Sequence, residues 1–127
     1  MTRKLFAFLT ILAFAFVLYA QGDKTVKLNG YLIDNACAAA HVKDANFGER
    51  AKKHKTSCAL QPSCAGSGFA VYSEGKLYKF DEAGNKSAEG LLKDTETKDG
   101  VMVAVEGTLD GETVHVTKIT EVKVAVE

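Results

Sequence analysis

The feature that most constrains this 127-residue chain is an apolar period of two over residues 101–116. Val101, Val103 and Val105 recur at alternate positions before Asp110-Gly111, and Val114 and Val116 do so after it. In an extended chain successive side chains point to opposite faces, so this alternation describes two strands with one apolar face each. Asp-Gly is a strong signal for a two-residue hairpin loop, because glycine accepts the positive φ such a loop needs. With Asp110-Gly111 as the loop, Leu109 pairs with Glu112, Val105 with Val116 and Glu106 with His115. Val103, Val105, Val114 and Val116 then share the core face, while Glu106, Thr108, Thr113 and His115 lie outside. The last strand is expected to continue through Ile119 to Val122.

A second hairpin is expected over residues 68–80. A Glu74-Gly75 loop pairs Ser73 with Lys76, Val71 with Tyr78 and Phe69 with Phe80. Phe69, Val71, Tyr78 and Phe80 fall on one face, which is apolar enough to be buried fully; Ala70, Tyr72, Leu77 and Lys79 form a mixed face. Residues 25–34 read as a first strand in which Val26 and Leu28, then Tyr31 and Ile33, change parity around Gly30. A glycine at such a change marks a bulge or sharp bend. Between the hairpins, residues 81–84 are turn-like, residues 87–93 suit a short helix capped by Ser87 with Leu91 and Leu92 inward, and residues 94–100 form a polar loop. Five strands with a helix between the third and fourth is the order of a small, mainly β, OB-like barrel. Residues 35–67 become an insertion between strands one and two.

The chain begins as an exported protein would. Arg3 and Lys4 precede an apolar run from Leu5 to Tyr19, shorter than the ~20 residues a membrane-spanning helix needs, and Ala20 supplies a small residue at the cleavage point. Residues 1–20 are read as a signal peptide and residues 21–127 as one domain, with no membrane span after processing and a periplasmic or extracellular destination. Loss of Arg3 and Lys4, with no acidic residue, takes the formal charge from +0 to −2. A weakly acidic domain is a poor partner for nucleic acid, whose binding draws on clustered Lys and Arg.

All three cysteines lie in the insertion: Cys37, Cys58 and Cys64, with His41 and His54 and the only proline, Pro62, among them. Asn46 with Glu49 makes a capping-box pattern for a helix over residues 46–55, with Phe47 and Ala51 one turn apart; the charges from Arg50 to Lys55, His54 included, read as its solvated face. Cys37-x3-His41 and His54-x3-Cys58 each put two metal-binding side chains on one helical face. Cys37, His41, Cys58 and Cys64, with His54 as the alternative imidazole, form a ligand set for zinc or copper, although the spacing matches no zinc-finger pattern. The same sulfurs in an oxidising compartment are disulfide candidates. Closing Cys37 to Cys58 stabilises by about 3.4 kcal/mol and Cys58 to Cys64 by about 2.4 kcal/mol in the chain-entropy model, too small a difference to select a pairing. Either form is expected to bring the sulfurs and His41 together, because a long insertion with little core needs a cross-link.

Catalytic patterns are lacking. No Ser-His-Asp order or Cys-x2-Cys motif occurs, and Cys37 with His41 has no orienting third group in the sequence. The segments Gly30-Tyr31-Leu32-Ile33-Asp34-Asn35-Ala36-Cys37, Cys37-x3-His41, Gly75-Lys76-Leu77-Tyr78 and Val105-Glu106-Gly107-Thr108-Leu109, with Cys58 and Cys64, resemble a group of small exported bacterial proteins of unknown function with an OB-like β-barrel. The resemblance covers most of the mature chain through short motifs, and the Cys58-x5-Cys64 gap here is wider than in that group. It implies the fold and export, and carries no activity. The expectation is a non-enzymatic cell-envelope binding or structural domain for a small ligand or an envelope protein, its Cys/His cluster held by a disulfide or a metal. The alternative is a thiol-dependent redox protein or enzyme using Cys37, Cys58 or Cys64.

Overall fold

The computed structural model describes residues 24–123; the expected signal segment, residues 1–20, and the tail from residue 124 lie outside the described residues. In chain order the elements are β1 (Lys24–Asp34), α1 (Asn35–His41), α2 (Phe47–Lys52), α3 (Thr56–Ala59), α4 (Pro62–Ala65), β2 (Phe69–Ser73), β3 (Lys76–Phe80), α5 (Glu82–Asp94), β4 (Met102–Asp110) and β5 (Thr113–Glu121). The domain is mainly β, a mixed five-stranded sheet with a few short helices. The four helices α1–α4 fill the insertion between β1 and β2, and α5 bridges β3 and β4. Among the described residues, no helix is long and apolar enough to cross a membrane.

Strand neighbours run β1-β2-β3-β5-β4, and β4 pairs in turn along β1, so the ladder closes on itself. The β3–β5 pair is parallel and the others are antiparallel. β1 makes this closure by pairing with β4 over its first part and with β2 over its last, Tyr31 being opposite both Met102 and Tyr72. The change of parity expected at Gly30 does not occur. Val26, Leu28 and Leu32 all pack on the main core, so the alternation runs unbroken through the glycine. Gly30 is needed for space instead, because a Cβ there would lie 2.1 Å from the Tyr72 carbonyl oxygen.

The main core lies inside this closed sheet. Phe69, Val71, Val103, Val105 and Val114 are at most 1 % exposed, and Leu32, Phe80, Ala88 and Leu92 pack with them. Val116 lies at the edge of this cluster, partly exposed. The β2–β3 register is the expected one, with Ser73 opposite Lys76 and Val71 opposite Tyr78. Both loop residues, Glu74 and Gly75, have positive φ, the requirement of a type I′ turn.

The β4–β5 hairpin turns one residue later than expected. Its loop is Gly111-Glu112, with Asp110 opposite Thr113, Leu109 opposite Val114 and Thr108 opposite His115. Gly111 alone takes positive φ (63°), which suits a turn with glycine in the first loop position. Moving the loop by one residue moves the pairing by two, so the valines keep their faces while the cross-strand partners change. A bulge between Glu106 and Gly107 carries the pairing one residue further, so Glu106 faces Lys118 and reaches Lys27, not His115. His115 approaches Asp81 and Asp110.

The segment expected as a turn before α5 is its first turn. Asp81, not Ser87, is the cap: its side chain accepts the Gly84 amide at 2.9 Å, and the same oxygen accepts the Val116 amide at 3.2 Å. An Asp cap satisfies a helical amide that would otherwise lack a partner. Helix α5 thus starts from a residue already anchored to β5, and Asn85 on its first turns accepts the Phe69 amide of β2.

Candidate metal centre

The outer face of β2 is covered as well. Ala70, expected on a mixed face, is fully buried with Ile33, Ala38 and Phe47, and Cys37, Tyr72 and Leu77 pack around them. Phe47 meets Tyr72 edge to face at 4.7 Å between ring centres. The insertion is therefore a cap on the sheet with a small apolar core of its own. The Asn46/Glu49 capping box does not form: Asn46 precedes α2 without a side-chain cap bond, and α2 ends at Lys52. Phe47 and Ala51, one turn apart, still supply its buried face.

Two sets of backbone contacts tie the insertion down. At its ends, the Asn35 amide donates to the Gly68 carbonyl, the Asn35 side chain donates to the Ser67 carbonyl, and the Ala36 amide donates to the Ser67 hydroxyl. Ser67 in turn donates to the Cys64 carbonyl at 2.6 Å. These bonds set the start of α1 beside α4 and so bring Cys64 to Cys37. In its middle, the Gly100 amide donates to the His54 carbonyl and Thr56 bonds to Lys98 and Thr97, fixing residues 54–56 against the chain that precedes β4.

Asp34, the last residue of β1, organises what these ties bring together. It is fully buried. One carboxylate oxygen, Oδ2, accepts the Cys37 amide at 2.9 Å and caps α1, which holds Cys37 beside the carboxylate. The other, Oδ1, lies 3.0 Å from His54 Nε2, and the His54 side chain is 11 % exposed. That contact has the length of a hydrogen bond but not its direction, and both atoms remain without a directed partner. Donor atoms of Asp34, Cys37 and Cys64 all lie within 4.8 Å of one another.

The electrostatics of this cluster are lopsided. Burial pushes the Asp34 carboxyl up, but the His54 contact, the Cys37 amide and the charge of His54 outweigh it and hold the group below its ordinary 3.8. Burial, and after it the Asp34 carboxylate and Cys64, push the Cys37 thiol up to about 12. A carboxylate and a second sulfur at this distance oppose a negative charge on Cys37 and favour a positive charge placed among them.

Of the residues singled out in the sequence, Cys37 and Cys64 come together, and Asp34 completes the group. Cys58 and His41 do not join it: Cys58 lines a neighbouring cavity, and His41, facing that cavity too, bonds Asp44 through Nδ1 at 3.1 Å. All three cysteines carry free thiols. His54 turns inward from the solvated face expected for it and meets Asp34. Asp34 had a local signal of its own, an Asp directly before the helix-forming Asn35-Ala36-Cys37-Ala38, which is an N-cap pattern. No family model, curated protein or solved structure matches the chain.

Proposed function

We propose that this is an exported, OB-like domain whose insertion binds one metal ion through Asp34, Cys37 and Cys64, with zinc the ion that fits best. The observation that carries the reading is the convergence of a fully buried carboxylate, one oxygen of which has no directed hydrogen bond, with two thiols. A dication there would take up the unsatisfied oxygen and favour loss of both thiol protons, reversing the upward push on Cys37. The donor set separates the candidate ions. Copper(I) prefers sulfur alone, whereas zinc accepts thiolate and carboxylate together. His54 Nε2, 3.0 Å from that same unsatisfied oxygen, would steady the carboxylate, as neighbouring polar groups orient ligands in other metal sites. The OB-like assignment is supported by the strand order and the closed ladder. Export is supported by residues 3–20 of the sequence.

The test is zinc stoichiometry by native mass spectrometry and elemental analysis. One equivalent is expected in the parent chain, in Cys58→Ala and in His41→Ala, and loss is expected in Cys37→Ser, Cys64→Ser and Asp34→Asn. A full equivalent retained by both Cys64→Ser and Asp34→Asn would overturn the reading.

A second reading draws on the same two sulfurs. Cys37 and Cys64, whose sulfurs lie within 4.8 Å of one another, would join as a disulfide by moving together and passing two electrons and two protons to an external thiol oxidant, and export would expose them to one. The same spectrum separates the two readings: the disulfide form is metal-free and lighter by two hydrogens. The thiol-enzyme alternative gains little from Cys37, whose thiol at about 12 is scarcely ionised at neutral pH.

A further inference from the structure

A cavity of about 410 Å³ opens between α1, α2 and α3, beside the metal centre, with a volume in the range of small-molecule sites. Its walls divide by chemistry. Ile33 and Phe47 form its buried floor, each 2 % exposed, and the half-buried side chains of Cys37 and Cys58 with the methylene stems of Arg50, Lys53 and Lys55 supply its apolar surface. Three cations, Arg50, Lys53 and Lys55, stand in its lining against one carboxylate, Glu49.

That imbalance occurs in a chain whose formal charge is +0, so the cations are gathered here rather than spread evenly. Their placement follows from the local fold. Arg50 and Lys53 are three residues apart across the end of α2 and so share a side of it. Lys55 lies beyond His54, whose ring turns inward to Asp34, and its backbone is held by pairing with Asp99. Arg50 has an acidic neighbour, Asp44 at 3.3 Å, but Lys53 and Lys55 have no ion-pair partner among the described residues.

We infer that this cavity binds a small carboxylate with an apolar body, such as a medium-chain or aromatic acid, the carboxylate meeting Lys53, Lys55 and Arg50 and the body lying against Cys37, Cys58 and the side-chain stems above Ile33 and Phe47. An apolar pocket with a few convergent polar groups is the general form of a small-molecule site, and here the charges at its edge select the sign of the ligand. Surface cations attract any anion weakly and are screened by salt; the cavity's apolar surface is what distinguishes this ligand from a simple anion. The cavity shares Cys37 with the metal centre, but Asp34 and Cys64 do not line it, and the cations that meet the carboxylate take no part in that centre.

Isothermal titration of the purified chain with octanoate tests it, with acetate, octanol and octylamine as comparisons. Octanoate is expected to bind one to one, more tightly than any of the three, and to weaken as salt is raised. Lys53→Glu and Arg50→Glu, both at exposed positions, are expected to weaken octanoate by about tenfold or more, while Lys93→Glu on α5 leaves it unchanged. Acetate binding as tightly as octanoate would reduce the cavity to an anion site, and octanol binding as tightly would reduce it to an uncharged cleft. Either result, or no octanoate binding at all, overturns the inference.

Discussion

The two faces of β2 are buried by different means. On the inner face, Phe69 and Val71 join a continuous core, mostly of valine, leucine and phenylalanine, drawn from every strand and α5, with Ala59 of the insertion at its side. On the outer face, Ala70 lies under a small cluster of Ile33, Ala38 and Phe47, and beside it a fully buried Asp34 faces two thiols and an imidazole. The inner core is non-directional and stabilises by area, so its residues exchange with others of like volume. The outer one leans on directed contacts: Asp34 to Cys37, Asn35 to Ser67, Ser67 to Cys64. The sheet therefore owes its stability to burial, and the insertion to a small apolar core joined by a few polar links that also define its site.

Damage to the inner core should have the largest effect. Val105 is fully buried, and Val105→Asp would put an uncompensated charge among hydrocarbon. No folded protein is expected, by circular dichroism or by soluble yield. A stable, soluble variant would mean that the valine faces are assigned wrongly.

The same kind of damage to the outer face should be confined to it. Phe47→Ala removes the ring that meets Tyr72, a loss of about 3–5 kcal/mol when such a ring is fully buried. Hydrogen exchange should show the amides of α1 and α2 losing protection while those of β4 and β5 keep theirs. Uniform loss across both would erase the distinction between the two regions.

The inner region has directed contacts of its own at its edge, and smaller effects follow from them. Asp81→Ala removes the α5 cap and should cost about 0.5–2 kcal/mol, read as a lower denaturation midpoint. Burial raises the Asp81 carboxyl, but the amides of Gly84 and Val116 and the His115 contact outweigh it, leaving the group below its ordinary 3.8. Glu121, pushed up by burial and then down further by the Thr95 and Thr97 hydroxyls, lies below its ordinary 4.5. Both carboxylates hold protons less readily folded than unfolded. Their stabilisation is therefore complete above those ordinary values and is lost as pH falls through them toward the folded ones. Comparing urea midpoints at neutral pH and below the carboxylate range, Asp81→Asn and Glu121→Gln should each show a smaller acid loss than the parent. An unchanged acid loss in both would contradict the assignment.

Why the two regions differ in legibility follows from the same physics. A period of two reports which face a side chain takes, and it survived even where the partners were misjudged. Placing the loop at Asp110-Gly111 rather than Gly111-Glu112 misplaced Glu106 and His115 but moved no core valine to the wrong side. The site had no such period to reveal it. Asp34 and His54 are joined by the path of α1 and α2, and Cys64 reaches Cys37 through bonds from Asn35 and Ala36 to Ser67. Each side chain, taken locally, suited another role: His54 amid lysines as a solvated residue, His41 one turn from Cys37 as a ligand. What decided between them was contact between residues distant in sequence, to which helical spacing is blind.

On the proposed reading, a zinc ion at this centre has two sulfur ligands and a carboxylate rather than three sulfurs. X-ray absorption at the zinc edge of the zinc-loaded chain counts those ligands directly. Two sulfurs are expected at about 2.3 Å, with the remaining ligands oxygen or nitrogen at about 2.0–2.2 Å. The spectrum is expected to be unchanged in Cys58→Ala. A shell of three sulfurs that drops to two in Cys58→Ala would contradict that reading.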